Sequence, residues 1–302
     1  MKPKILLCPL VSEDTYRSIR AIKSCFNQKE HSLEHGVHVV VNSSDEVFVK
    51  SIEDYCIQNS IEYSITKSDG TAATGKNSVL DYFSKTEYTH LSQLDGDDMF
   101  YPFFLRHVQR HIYKYPTTDV LATMPHDYIC KTFENDGIKL ENGLYAVLWF
   151  RNYIDWSARS LFGEDKIFKG ESEGNYARFI LFSKKISEKF RFDPEFKVGE
   201  DFKLHFDFLY AHQKDDISYW FTTAIDTWVR DTTSIGVQKK HSNIIVDGEY
   251  HNVRDDESLE RLKNYVEQNM MRFRSAPGEI PVDFAPVYMS AEEKKIFLNQ
   301  IV

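Results

Sequence analysis

Apolar residues along this chain fall in short continuous runs separated by stretches with helical spacing. Ile5 to Val11 predicts a buried strand, and Glu13 to Gln28 a helix with Tyr16, Ile19, Ile22, Cys25 and Phe26 on one stripe. Ser12 stands where the helix N-cap belongs, with Thr15 in the place a capping box gives to Glu. Val37 to Val41 predicts the second strand, ended by Asn42-Ser43-Ser44-Asp45, and Val47 to Asn59 the second helix. Glu62 to Thr66 follows as a strand, Gly70 to Gly75 as a small-residue loop, and Lys76 to Phe83 as a helix. Tyr88 to Leu94 is a fourth strand that stops at Asp95-Gly96-Asp97-Asp98. Strands alternating with helix-length segments imply βαβ units: an α/β fold with a mostly parallel central sheet and a ligand crevice at the carboxyl ends of its strands.

The pattern is less regular afterwards. A helix is expected from Pro102 to Tyr115, then an irregular section with an aromatic stretch, Tyr145 to Trp156, and a Gly-containing loop, Gly163 to Gly174. Tyr176 to Ser183 reads as strand and Asp201 to His212 as helix. Asp255 to Phe273 reads as an amphipathic helix, followed by a Pro-containing stretch from Pro277 to Pro286 and a short helix from Ser290.

Composition narrows the function classes. The 302 residues, 42% hydrophobic and 14% aromatic, suit a globular protein with grooves to line. Apolar runs fall far short of the roughly 20 residues that cross a bilayer. The start, Met1-Lys2-Pro3-Lys4-Ile5, leads into a strand without the segments of a secretory signal, so no transmembrane segment and a cytoplasmic location are expected. Cys8, Cys25, Cys56 and Cys130 form no CxxC pair and read as buried free thiols. A net charge of −9 argues against long nucleic acid as a partner. It leaves open a small nucleotide whose phosphates a metal ion neutralises. Oligomeric state is not legible.

Asp95 and Asp97 are two apart and point to one side if the strand continues, so carboxylates crowd where the chain leaves the sheet. A hard divalent cation, Mn²⁺ or Mg²⁺, relieves such crowding by binding one or two carboxylates plus substrate phosphates. An acidic turn after a strand is the alternative that residue types alone permit.

The surroundings of this run resemble family 2 glycosyltransferases and related GT-A enzymes. The first strand ends in a Pro, Ser24-Cys25-Phe26-Asn27-Gln28 is similar to the family's helix end, and Gly75-Lys76-Asn77 and Leu94-Asp95-Gly96-Asp97-Asp98 follow in its order. Farther on, Phe192-Asp193-Pro194-Glu195-Phe196 precedes Gly199-Glu200-Asp201, and Val229-Arg230 precedes Ser234, so the resemblance covers roughly residues 4 to 236. It implies a GT-A domain over 1–240, with a nucleotide-sugar half (1–100) and an acceptor half (101–240), plus a C-terminal helical extension over 241–302.

The implied donor is a nucleotide sugar, a UDP-sugar first, and the acceptor an unidentified hydroxyl. Asp97 would bind the metal with Asp98 in support, and Asp95 would contact the ribose or sugar. Pro9, Val11, Asn42, Asp45, Asp69, Gly70, Lys76, Gly96 and Arg230 complete the implied donor site. Asp201, paired with Glu200, would take the acceptor's proton, giving inversion at the anomeric carbon.

The chain also departs from the family pattern. Asn42 stands where many members have an Asp that reads the base, with Asp45 as its substitute, and Lys76 replaces an Arg. The histidine expected after Arg230 is missing; His241, after Lys239-Lys240, is the candidate extra metal ligand, against a plain surface His. Trp149 and Trp156 are candidate acceptor contacts, against core packing. Asp201 as a helix N-terminal charge and Lys76 as a solvated lysine are the plainer readings of those residues. A nucleotidyltransferase, which would show a Gly-rich basic loop where this chain has Pro9 to Asp14, and a non-catalytic carbohydrate- or metal-binding protein are the alternative classes.

Overall fold

The computed structural model describes residues 2–66, 71–123, 126–131, 138–139, 145–149, 178–196, 200–222, 224, 228–231, 242–246, 249–253, 261, 264, 268 and 281–299. The chain opens with β1 (Lys4–Val11), α1 (Thr15–Phe26), β2 (Glu34–Val41), α2 (Glu46–Gln58), β3 (Glu62–Ile65), α3 (Ala72–Ser84) and β4 (His90–Asp95). After β5 (Met99–Phe100) come α4 (Phe104–Lys114), β6 (Val120–Thr123), β7 (His126–Lys131), β8 (Ile138–Lys139), β9 (Tyr145–Trp149) and β10 (Arg178–Ser183). The remaining elements are α5 (Lys184–Lys189), α6 (Glu200–Gln213), β11 (Tyr219–Thr222), β12 (Trp228–Asp231), β13 (Ser242–Val246), β14 (Glu249–Val253), β15 (Val282–Asp283) and α7 (Ala291–Asn299).

An eight-stranded sheet in the order β15-β11-β6-β10-β4-β1-β2-β3 forms the centre. Its neighbours pair in parallel except at β10, which runs antiparallel to both β4 and β6. The fold is thus α/β with a mostly parallel sheet, as expected for the GT-A class. The first strands read as continuous apolar runs because both faces are covered. Ile5 and Leu7 pack with Ala21 and Cys25 of α1 and Val108 of α4, whereas Leu6, Cys8 and Leu10 pack with Val79, Leu80 and Phe83 of α3 and Phe208 of α6. Phe48, Ile52 and Cys56 of α2 join Val39 and Val41 of β2.

Chain order places the crevice. From β1 the chain moves outward to β2 and β3, then returns through α3 to β4 on the other side of β1. The carboxyl ends of β1 and β4 therefore flank the point where strand order reverses, the usual ligand position in open α/β sheets. A second sheet, β5-β12-β7-β9-β8, starts immediately beyond the acidic run, where Met99 and Phe100 pair with Val229 and Trp228.

Several local expectations need correction. Asp14, not Ser12, caps α1 by accepting from the Arg17 amide. Tyr16 and Phe26 face outward, 59% and 52% exposed, while Ser18, Arg20, Ala21, Ile22, Ser24 and Cys25 face inward. The apolar stripe misleads because the buried face of α1 must also anchor polar backbone beyond β4. α3 begins at Ala72 and includes Gly75 and Lys76, with Thr71 as its cap. Cys8, Cys25 and Cys56 are buried and free; the side chain of Cys130 lies outside the description.

The segment after residue 240 is not wholly helical. Ser242–Val246 and Glu249–Val253 form an antiparallel hairpin, and β15 adds to the sheet edge beside β11. Asp283 of β15 is buried and receives Arg110 (Nη1 to Oδ1, 3.1 Å), His111 (2.9 Å) and Lys114 (3.5 Å) from α4. Most of the stretch read as a helix from Asp255 to Phe273 lies outside the described residues; α7 matches the short helix read from Ser290. No described helix is long and apolar enough to cross a membrane.

Candidate active site

The acidic run is held from behind by the inner face of α1. The Arg20 guanidinium donates to the Asp97 carbonyl at 3.0 Å, and Ser24 Oγ accepts from the Phe100 amide at 3.1 Å. Gln28 donates to the Tyr101 carbonyl (3.1 Å) and accepts from the Leu105 amide (3.0 Å). The Ser24 to Gln28 motif therefore acts as a clamp on the chain leaving β4, satisfying backbone groups that would otherwise be buried without partners. Gly96 permits close approach from the front: a Cβ there would lie 2.8 Å from both the Leu10 carbonyl oxygen and the Val11 Cα. Pro9 and Val11 are buried in β1 beside this contact.

Around that edge two cations cross a set of carboxylates. Lys76 Nζ lies 2.7 Å from Asp201 Oδ1, 3.0 Å from Glu200 Oε1 and 4.0 Å from Asp95 Oδ1. Arg178 Nη1 lies 3.1 Å from Asp95 Oδ2 and 3.4 Å from Asp201 Oδ2, and its Nη2 is 4.0 Å from Asp98 Oδ2. Asp95 and Asp201 thus share both cations across the crevice. Burial opposes the charge on Lys76 and Arg178, but the surrounding carboxylates outweigh it and hold both firmly protonated. Burial raises the Glu200 carboxyl above its usual range despite Lys76, whereas at Asp201 burial is overcome by Lys76 and Arg178 and the carboxyl titrates low.

Lys76 is 5% exposed, which excludes the solvated-lysine reading. Arg178 carries no signal in the sequence read alone, because its position depends on the direction of β10. An antiparallel strand starts where its parallel neighbours end, so the first residue of β10 arrives beside the last of β4.

The other predicted residues divide clearly. Asn42 is buried and its amide is engaged at both ends, donating to the Thr71 carbonyl (3.2 Å) and accepting from Thr66 Oγ1 (3.0 Å). Those bonds tie β2 to the segment after β3 and to the start of α3, and Gly75 packs so closely on Asn42 that a Cβ would meet Nδ2 at 2.4 Å. Asp45 is the N-cap of α2, accepting from the Val47 (2.9 Å) and Phe48 (3.2 Å) amides. Asp69, Gly70, Trp156 and His241 lie outside the described residues, and Trp149 and Arg230 are described only as backbone in β9 and β12.

Asp95, Asp97, Asp98, Glu200 and Asp201 gather at this edge with Lys76 and Arg178 among them and Arg20 on the Asp97 carbonyl. Among the described residues no group of three or more His, Cys, Asp or Glu side chains forms a metal cage. The oxygen-only donor set still fits Mn²⁺ or Mg²⁺, which usually take one or two carboxylates and fill their shell with phosphate and water. Asp97 is half-buried at the tip of the run, and Asp98 is 1% exposed behind it.

Fold and site together define an α/β protein with a carboxylate-lined crevice at the switch point of its sheet, spanned by the buried Lys76 and the half-buried Arg178. No family model matches the chain, and no curated protein does. Among solved structures it is similar to TarS of S. aureus, at 15% identity and a TM-score of 0.48 over 76% of this chain and 37% of that one. The TarS 1–349 structure gives 13% identity and a TM-score of 0.49 over 99% of this chain and 78% of that one. The same fragment in complex with UDP-GlcNAc gives 14% and 0.46 over 76% and 58%. This chain spans 37% of the length of the first of these structures.

Proposed function

We propose that the protein is a metal-dependent glycosyltransferase that moves a sugar from a UDP-sugar to an acceptor hydroxyl with inversion. The observation that carries the reading is the meeting of Asp95, at the end of β4, with Asp201, at the start of α6, around Lys76 and Arg178. Two carboxylate sets at one crevice, one beside a metal-competent run and one at a helix start, suit a reaction that needs leaving-group stabilisation and proton removal at different atoms.

Asp97, with Asp98 in support, would hold Mn²⁺ or Mg²⁺, which when bound neutralises charge on the departing diphosphate. The acceptor oxygen bonds to the anomeric carbon, its proton passes to the Asp201 carboxylate, and the bond from that carbon to the diphosphate oxygen breaks with its electrons leaving on UDP. Lys76 and Arg178 keep Asp201 ionised and also weaken it as a base, so proton transfer accompanies attack rather than preceding it. Glu200 shares Lys76 with Asp201 and fixes the lysine between them.

Isothermal titration of UDP with and without Mn²⁺ tests the donor site. Metal-dependent binding that Asp97→Ala abolishes is expected; equal binding without metal would falsify the proposed site. UDP release from a panel of UDP-sugars then identifies the donor.

A further inference from the structure

We propose that Arg178 is the residue that positions Asp201 for proton removal, by bridging it to Asp95 across the crevice. The inference rests on the glycosyltransferase reading above and adds a residue that the sequence motifs do not contain.

Three observations support it. First, Arg178 reaches both carboxylates with one nitrogen, Nη1, at 3.1 Å from Asp95 and 3.4 Å from Asp201, while Nη2 faces Asp98. Second, the residue starts β10, the one strand of the central sheet that runs against its neighbours, and that strand is pinned by the Ser92 hydroxyl donating to the Ile180 carbonyl at 2.7 Å. The guanidinium therefore projects from a fixed element. Third, Asp201 is grasped from both sides, by Lys76 of α3 at Oδ1 and by Arg178 at Oδ2. Among the described residues Glu200 and His205 of its own helix also act on it, and His205 is buried with its Nδ1 on the Tyr219 hydroxyl at 2.7 Å.

The division of labour follows from side-chain shape. Lys76 is a point charge already shared among three carboxylates, so it sets charge more than direction. Arg178 is planar and fixed at its base, so it sets the angle of the Asp201 carboxylate relative to the donor-side Asp95. A base displaced by a small distance loses much of the rate that positioning supplies.

The test is a double-mutant cycle on UDP release, with water as acceptor and Mn²⁺ present, using UDP-glucose, UDP-galactose, UDP-N-acetylglucosamine and UDP-N-acetylgalactosamine as donors. Arg178→Met is expected to lower kcat roughly 10- to 100-fold, part of the about 10²- to 10⁴-fold that a positioned base contributes. Arg178→Lys should recover part of the loss. In an Asp201→Asn background, at saturating donor and Mn²⁺, Arg178→Met should cost no further kcat, since its effect through Asp201 has nothing left to position. Loss of its contacts to Asp95 and Asp98 should show in KM instead.

Losses that multiply in the double variant, or an unchanged kcat in Arg178→Met, overturn the positioning role and leave the parent reading intact. If Asp201→Asn itself keeps the wild-type rate, or the wild-type protein releases UDP from none of the four donors, the parent reading falls and this one with it. Should Arg178→Met fail to fold by circular dichroism, the same cycle with Arg178→Lys and Arg178→Gln decides.

Discussion

Asn77 and Phe192 exchange two hydrogen bonds, from Asn77 Nδ2 to the Phe192 carbonyl at 2.7 Å and from the Phe192 amide to Asn77 Oδ1 at 2.9 Å. The side chain imitates a strand neighbour and docks the segment ahead of α6 on α3. The Phe192 ring then lies 5.3 Å from Lys76 Nζ, and Glu200 and Asp201 come within reach of the same lysine. Asn77→Ala is expected to cost about 1–3 kcal/mol, because two backbone groups lose their partners. Urea unfolding of both proteins measures it; a change within error would mean that the docking relies on the apolar contacts alone.

Lys76 compensates three carboxylates from two parts of the chain: Asp95 at the end of β4, and Glu200 and Asp201, 124 and 125 residues away in sequence. Lys76→Met should destabilise the protein by about 3–5 kcal/mol, the usual effect of removing one partner from a buried ion pair. Adding Glu200→Gln should recover part of that loss, since it removes one of the stranded charges. Denaturation midpoints of the single and double variants at pH 7 decide, and strictly additive losses would contradict the shared pairing.

Gly96→Ala places a Cβ 2.8 Å from backbone atoms of Leu10 and Val11, which no side-chain rotation relieves. About 1–3 kcal/mol of destabilisation is expected, together with weaker Mn²⁺-dependent UDP binding, because the carboxylates on either side must shift with the backbone. Calorimetry on the folded variant separates the two effects.

Asp45 is a cap in this fold, so its replacement should act on stability rather than on the donor. Asp45→Ala is expected to cost about 1 kcal/mol and Asp45→Ser to cost little. UDP affinity unaltered in both variants agrees with the cap; a loss of affinity in both would return Asp45 to the donor site.

Acid should weaken the fold through histidines held neutral by burial. His38 and His90 are each pushed down from 6.5 to about 4 by burial, against small opposing effects of Glu62 and Asp119. The unfolded chain takes up these protons near 6.5 and the folded protein resists them. Their contribution is therefore full above pH 6.5 and declines as pH falls toward 4. Each histidine adds a slope of up to about 1.4 kcal/mol per pH unit in that window. Urea midpoints across pH 7 to 4 for wild type and His38→Gln measure it; the variant's profile should be flatter.

What the sequence by itself determined is the framework of the first hundred residues and the place of the acidic run. Strands buried on both faces are mostly apolar, so β1 and the Val39–Val41 end of β2 announce themselves, while β4 buries Ser92 and Gln93 and is marked by the acidic run at its end. The helices between them imply parallel strands with a crevice at their ends. Only the tertiary structure shows which polar residues meet at that crevice and which are engaged elsewhere. Arg178 depends on the direction of β10, Asn42 is occupied by Thr66 and Thr71, and Asp45 by its own helix. The outward turn of Tyr16 and Phe26 and the docking of Asp283 on α4 were equally beyond local pattern. Periodicity records whether a position is buried on average, whereas a hydrogen bond or ion pair depends on which distant segment arrives there, and that is fixed by strand order and direction.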